Sequence, residues 1–86
     1  MRLTLYVADH STTSTQAIEH LQQAIERLGG GDVQLELVSV SESPHRALRE
    51  RVLVTPTLVA DGLRGRVVGD LSDPDLLDYF LRSIET

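Results

Sequence analysis

Cysteine is absent from the chain, which removes disulfides, thiolate nucleophiles and thiol exchange together. Lysine is absent too, so all eight basic side chains are arginines, set against 13 acids for a formal net charge of −5. That balance argues against nucleic acid as the main partner, because neutralising phosphates needs clustered cations. With no tryptophan, one phenylalanine and two tyrosines, the core has to be built from leucine, isoleucine and valine. No run approaches the ~20 apolar residues of a membrane span. The opening residues, Met1 to Val7, lack the long apolar region of a signal peptide. A cytoplasmic location without membrane contact is the expectation, and 86 residues suit one domain, 1–86.

What is present reads as alternating strands and helices. Residues 3–8 place Leu3, Leu5 and Val7 on one face and Thr4, Tyr6 and Ala8 on the other. Neither face is charged, which predicts an interior strand. A polar connection, 9–14, offers helix caps: Ser11, or alternatively Thr13 in a capping box with Gln16. Ala17, Ile18, Leu21, Ala24, Ile25 and Leu28 then recur at helical spacing, and Gly29-Gly30-Gly31 supplies the stop. Residues 33–40 predict a second strand with one exposed side, hence a sheet edge. Ser43 and Pro44 open a helix over about 44–51 as cap and first helical residue. Ala47 and Leu48 are expected inward there, with Arg46, Arg49, Glu50 and Arg51 outward. Asp61-Gly62 signals a hairpin between strands at 57–60 and 63–68. Ser72 is the expected cap of a last helix whose apolar stripe is Leu76, Leu77, Phe80, Leu81 and Ile84.

Residues 52–58 organise the rest. An apolar run on both sides of Pro56 cannot be one central strand, because proline donates no backbone hydrogen bond. The run reads as a buried approach, a turn at Thr55-Pro56, and a strand starting at Thr57. The turn is either a cis bond or an ordinary trans proline at a strand start. The order βαβαββα, with a right-handed crossover between the first two strands, predicts an α/β fold. It is the thioredoxin-like arrangement: a mixed four-stranded sheet with three helices.

In such a fold the reactive end lies at the first helix N-terminus, where this chain has Asp9, His10, Ser11 and Thr12. Without a thiolate there is no thiol exchange. Asp9 and His10 remain candidates for a small enzyme of unknown substrate, yet sequence neighbours do not make a triad and no oxyanion loop accompanies them. His10, His20 and His45 fall on separate elements, so no shared metal site is expected. Asp70, Asp73 and Asp75 lack the spacing of a calcium loop and suit helix capping. No cofactor is expected. Arg46, Arg49 and Arg51, with Arg64 and Arg66 on the hairpin, form either a solvated face or a surface for an acidic protein.

Leu5-Tyr6-Val7-Ala8, Ser43-Pro44, the run 52–58 and Val68-Gly69-Asp70-Leu71-Ser72-Asp73 together resemble the KaiB family, and equally the KaiB-like sensor domain of SasA histidine kinases. The resemblance spans nearly the whole chain, with a shorter hairpin. It implies a non-catalytic adaptor of circadian or related signalling that docks on a KaiC-type ATPase or another signalling protein. The docking residues it implies are Ala8, Asp9, Arg46, Arg49, Arg51 and Val52, beside the structural turn Thr55-Pro56. A stand-alone sensory or dimerisation domain of the SasA type is the alternative. The resemblance also implies fold switching from a tetramer, with a dimer or tetramer as possible homo-oligomers. Two departures oppose that ground state: Phe80 and Arg82 replace a glycine and an acid, and the family's acidic tail has no counterpart before Thr86. Glycine costs about 1 kcal/mol in a helix, and an acid near its C-terminus opposes the dipole. Both replacements favour the thioredoxin-like form.

Overall fold

Alternation puts the apolar residues of each strand on both faces of one sheet, and three helices cover those faces. The computed structural model describes residues 2–29, 31, 33–60 and 65–85. Its elements are β1 (Arg2–Val7), α1 (Thr12–Arg27), β2 (Gln34–Ser39), α2 (Pro44–Arg49), β3 (Thr57–Ala60), β4 (Arg66–Val68) and α3 (Pro74–Glu85). The sheet order is β2-β1-β3-β4. β1 runs parallel to β2, with Leu5 opposite Leu37, and antiparallel to β3, with Tyr6 opposite Thr57. β3 and β4 pair antiparallel. The expected thioredoxin-like architecture is present, with β1 in the interior and β2 at an edge. The hairpin signal Asp61-Gly62 and Arg64 lie outside the described residues.

The larger core joins Leu3, Leu5, Leu58, Ala60 and Val67 of the sheet to Ala17, Leu21 and Ala24 of α1 and Leu77, Phe80 and Leu81 of α3. Each fully buried leucine in it contributes about 1.5–3 kcal/mol of transfer free energy. The opposite face carries a smaller cluster of Tyr6, Val38 and Ala47, with Val40, Val52 and Val59 against it. α2 is therefore held by few contacts.

Ends of elements follow local chemistry. Ser11 caps α1, its side chain accepting from the Ser14 N–H, so the alternative box at Thr13 is not used. Gly29 at φ +95° ends the same helix, a conformation in which a Cβ would be strained. Ser72 is not the cap of α3. Asp73 is, its Oδ1 accepting from the Asp75 and Leu76 N–H groups at 3.1 and 3.2 Å. A carboxylate serves that position as well as a hydroxyl and adds charge favourable to the dipole.

Four further expectations need correction. Leu48 is 76% exposed and Leu53 92% exposed, so neither faces inward and the approach to Pro56 is not a buried segment. Ala47 and Leu48 are successive residues, about 100° apart around the helix axis, so with Ala47 on the sheet Leu48 turns toward solvent. Leu76 is also exposed, at the margin of an α3 stripe that Leu77, Phe80 and Leu81 complete. Arg51 lies beyond α2, which ends at Arg49.

Candidate functional site

The sheet registers gather one end of the molecule. Tyr6 opposite Thr57 and Val7 opposite Ser39 carry Ala8, Asp9, Ser41 and the Thr55-Pro56 turn to the same edge. The Thr55–Pro56 peptide is cis, the sharper of the two turns considered. The Pro56 carbonyl accepts from Gly69 N–H at 2.9 Å, and Thr57 Oγ1 donates to the Val54 carbonyl at 2.7 Å.

At the β1 end, Ala8 N–H donates to the Ser14 hydroxyl at 3.1 Å, fixing the strand to the first turn of α1. Asp9 is clamped across two loops: Ser39 Oγ donates to Oδ1 at 2.9 Å and Ser41 Oγ to Oδ2 at 2.6 Å. The Ser41 and then the Ser39 hydroxyl hold its carboxyl below the usual carboxylate range. That makes Asp9 a poor general base at neutral pH, since proton transfer is most efficient near the working pH. His10, at φ +59°, has no hydrogen bond to Ser39 or Ser41. The pair offers a loop brace rather than a nucleophile and its base.

The arginines divide into two kinds. Arg46 reaches back over the sheet and donates through Nη1 and Nη2 to both oxygens of Glu36, each at 2.7 Å. This bidentate bond pulls Glu36 below the usual carboxylate range and raises the Arg46 guanidinium. Beside them Tyr6 is buried, and burial pushes its phenol above the ordinary value, with Glu50 adding to it. Arg46 lines a depression of about 310 Å³ with Thr4, Tyr6, Arg49, Glu50 and Val59. Arg49 and Arg51, by contrast, are exposed and their guanidinium groups form no ion pair among the described residues.

Arg51 has a further peculiarity. It adopts φ +55°, and the bonds around it form a Schellman closure of α2: Arg51 N–H to the Leu48 carbonyl at 3.1 Å and Val52 N–H to the Ala47 carbonyl at 2.9 Å. Glycine is the usual residue there. Val52 packs onto the Tyr6 and Ala47 cluster, supplying the hydrophobic contact of that motif. Arg66 Nη1 donates to the Arg51 carbonyl at 3.4 Å. The result is a stretch, 48–54, with Leu48, Leu53 and Val54 exposed beside two unpaired guanidinium groups.

Of the implied docking residues, Ala8 and Asp9 sit at the β1 end, Arg49, Arg51 and Val52 around the end of α2, and Arg46 apart, tied to Glu36. Sequence reasoning missed the Ser39–Asp9–Ser41 brace, the Glu36–Arg46 pair and the exposure of Leu53. Only the Glu36–Arg46 pair had a signal, an acid on the polar face of an edge strand. His20 Nδ1 donates to the Asp70 carbonyl at 2.6 Å, and Asp70 Oδ1 accepts from Ser72 N–H at 3.0 Å. Among the described residues no group of three His, Cys, Asp or Glu side chains could hold a metal ion, and no helix is long and apolar enough to cross a membrane.

This sheet order, the cis Thr55–Pro56 turn and a first-helix N-terminus carrying hydroxyls instead of thiols define a thioredoxin-like domain without a redox centre. The oxidised form of mitochondrial thioredoxin 3 from Saccharomyces cerevisiae superposes with a TM-score of 0.77 at 26% identity, over 95% of this chain and 76% of that one. Within that class the chain belongs to the KaiB family, whose domain model, "KaiB domain", matches residues 4–83. Circadian clock protein KaiB3 of Synechocystis sp. is 33% identical over 75 residues, 85% of this chain and 74% of that relative. The N-terminal domain of Synechococcus elongatus SasA matches over 96% of this chain and 77% of its own, with a TM-score of 0.68 and 26% identity.

Proposed function

We propose that this chain is a non-catalytic KaiB-like adaptor that docks on a KaiC-type ATPase in circadian or related signalling. The observation that carries the reading is the stretch 48–54. Exposed apolar side chains gathered on a folded domain mark interaction surfaces more often than accidents. Here Leu48, Leu53 and Val54 are exposed within one seven-residue stretch that also holds Arg49 and Arg51, whose guanidinium groups form no ion pair among the described residues, on a chain of net charge −5. Apolar anchors flanked by arginine fit a protein surface that offers a hydrophobic pocket and carboxylates.

Arg51 supports the same reading. A non-glycine residue in the left-handed region costs of order 1 kcal/mol, and glycine would close α2 as well. Arginine there instead adds a guanidinium group to the stretch that holds Leu53. Ala8 and Asp9 extend the surface at the β1 end, braced by Ser39 and Ser41. Arg46 is assigned a supporting role, holding α2 to β2 through Glu36.

A pull-down or native mass spectrometry with the KaiC-type ATPase of the same source tests this. A complex is expected at tens of micromolar, and Leu53→Asp and Arg51→Glu are each expected to weaken it about tenfold or more. Absence of a complex with the folded wild-type chain contradicts the proposal, as does unaltered binding by both variants.

A further inference from the structure

We propose that the depression beside α2 is a binding site for a small zwitterion of the α-amino acid class, whose carboxylate meets Arg49 and whose ammonium group meets Glu50. The register of the sheet builds its floor. Thr4 stands opposite Glu36 on one side and Val59 on the other. That row lies next to Tyr6, which α2 covers through Ala47. Six-residue α2 leaves the Thr4 row only partly covered, so Thr4 and Val59 remain half-buried. The resulting depression, about 310 Å³, is at the small end of ligand sites, which span roughly 300–1,000 Å³.

The charges around it choose the ligand. Arg46 is already satisfied, since both of its Nη groups donate to Glu36, and that bidentate bond fixes one wall in place. Arg49 and Glu50 line the same depression, and neither forms an ion pair among the described residues. Burial, and then the Glu50 charge, push the Tyr6 phenol up, which places the Glu50 carboxylate near the sheet rather than out in solvent. A simple anion is drawn to Arg49 and repelled by Glu50, and a simple cation the reverse. A ligand carrying both charges on one carbon satisfies both groups. Val59 gives its side chain an apolar surface to rest on. Thr4, whose hydroxyl has no partner among the described residues, can donate to the second carboxylate oxygen.

Both charged partners are exposed, so binding is weak, with a Kd of about 1–10 mM. Titrating the full chain with L-valine at low ionic strength, followed by amide chemical shifts in nuclear magnetic resonance, is expected to give saturable changes at Thr4, Glu50 and Val59. N-acetylvaline lacks the ammonium group and valinamide lacks the carboxylate, and each is expected to bind about threefold or more weaker. Arg49→Gln and Glu50→Gln, at exposed positions where the spectrum itself reports folding, are each expected to weaken valine by a similar factor. In Glu50→Gln the preference for valine over N-acetylvaline is expected to vanish, and in Arg49→Gln the preference over valinamide. No partner protein enters the experiment, so its outcome is independent of docking through residues 48–54. The absence of saturable shifts with valine overturns the proposal. So does N-acetylvaline binding the wild type as tightly as valine does, which marks a plain anion site, or valine binding unaltered in both variants.

Discussion

Arg51 shows how one residue can serve a surface at the expense of its own helix end. At φ +55° it occupies the position where glycine is favoured, so Arg51→Gly is expected to stabilise the fold by about 1 kcal/mol. For a chain of this size that raises the thermal midpoint by about 4–8 °C. The same change removes a guanidinium group from the docking stretch, so partner affinity is expected to fall as stability rises. Calorimetry and a binding titration on one variant check both. Asp9 makes a pH prediction with a definite sign. Its carboxyl is held below the usual range by Ser41 and Ser39, so the unfolded chain binds the proton more readily. The brace therefore contributes fully above about pH 4 and is lost as pH falls through the lower folded value. Thermal midpoints between pH 7 and pH 3 are expected to show that acid-side loss in the wild type and less of it in Asp9→Asn.

Elements here are set by their ends as much as by their middles. Asp73→Ala is expected to destabilise the fold by about 1 kcal/mol, because two N–H groups of α3 lose their acceptor. Ser72→Ala is expected to be near neutral, and urea titration separates the two. Phe80 is buried in the larger core. Phe80→Gly removes its packing and lowers helix propensity together, an expected loss of about 4 kcal/mol or more measured by denaturant unfolding. Strand and helix identities were legible because Leu3, Leu5, Leu21 and Leu81 lie on clean periodic patterns. Leu48, Leu53 and Leu76 were misread for a common reason. Periodicity finds an apolar residue but not whether a short helix or a connecting segment has anything left to cover it.

At the scale of the molecule, a redox scaffold persists without its sulfur. The sheet and the cis turn bring Asp9, Ser41 and Pro56 to one end, and the thiol-free end is braced by hydroxyls rather than armed. That gathering was legible from the element order and the Thr-Pro signal. The Asp9 brace spans 30 and 32 residues of sequence, and long-range pairs of this kind leave no local signature. On the proposed function the molecule grips a partner protein through residues 48–54 and the β1 end. Amide hydrogen exchange of the chain with and without the KaiC-type ATPase tests it most directly. Slowed exchange is expected across 48–54 and 8–9, with α1 unchanged. Protection confined to α1 or α3 while 48–54 exchanges freely would contradict the account.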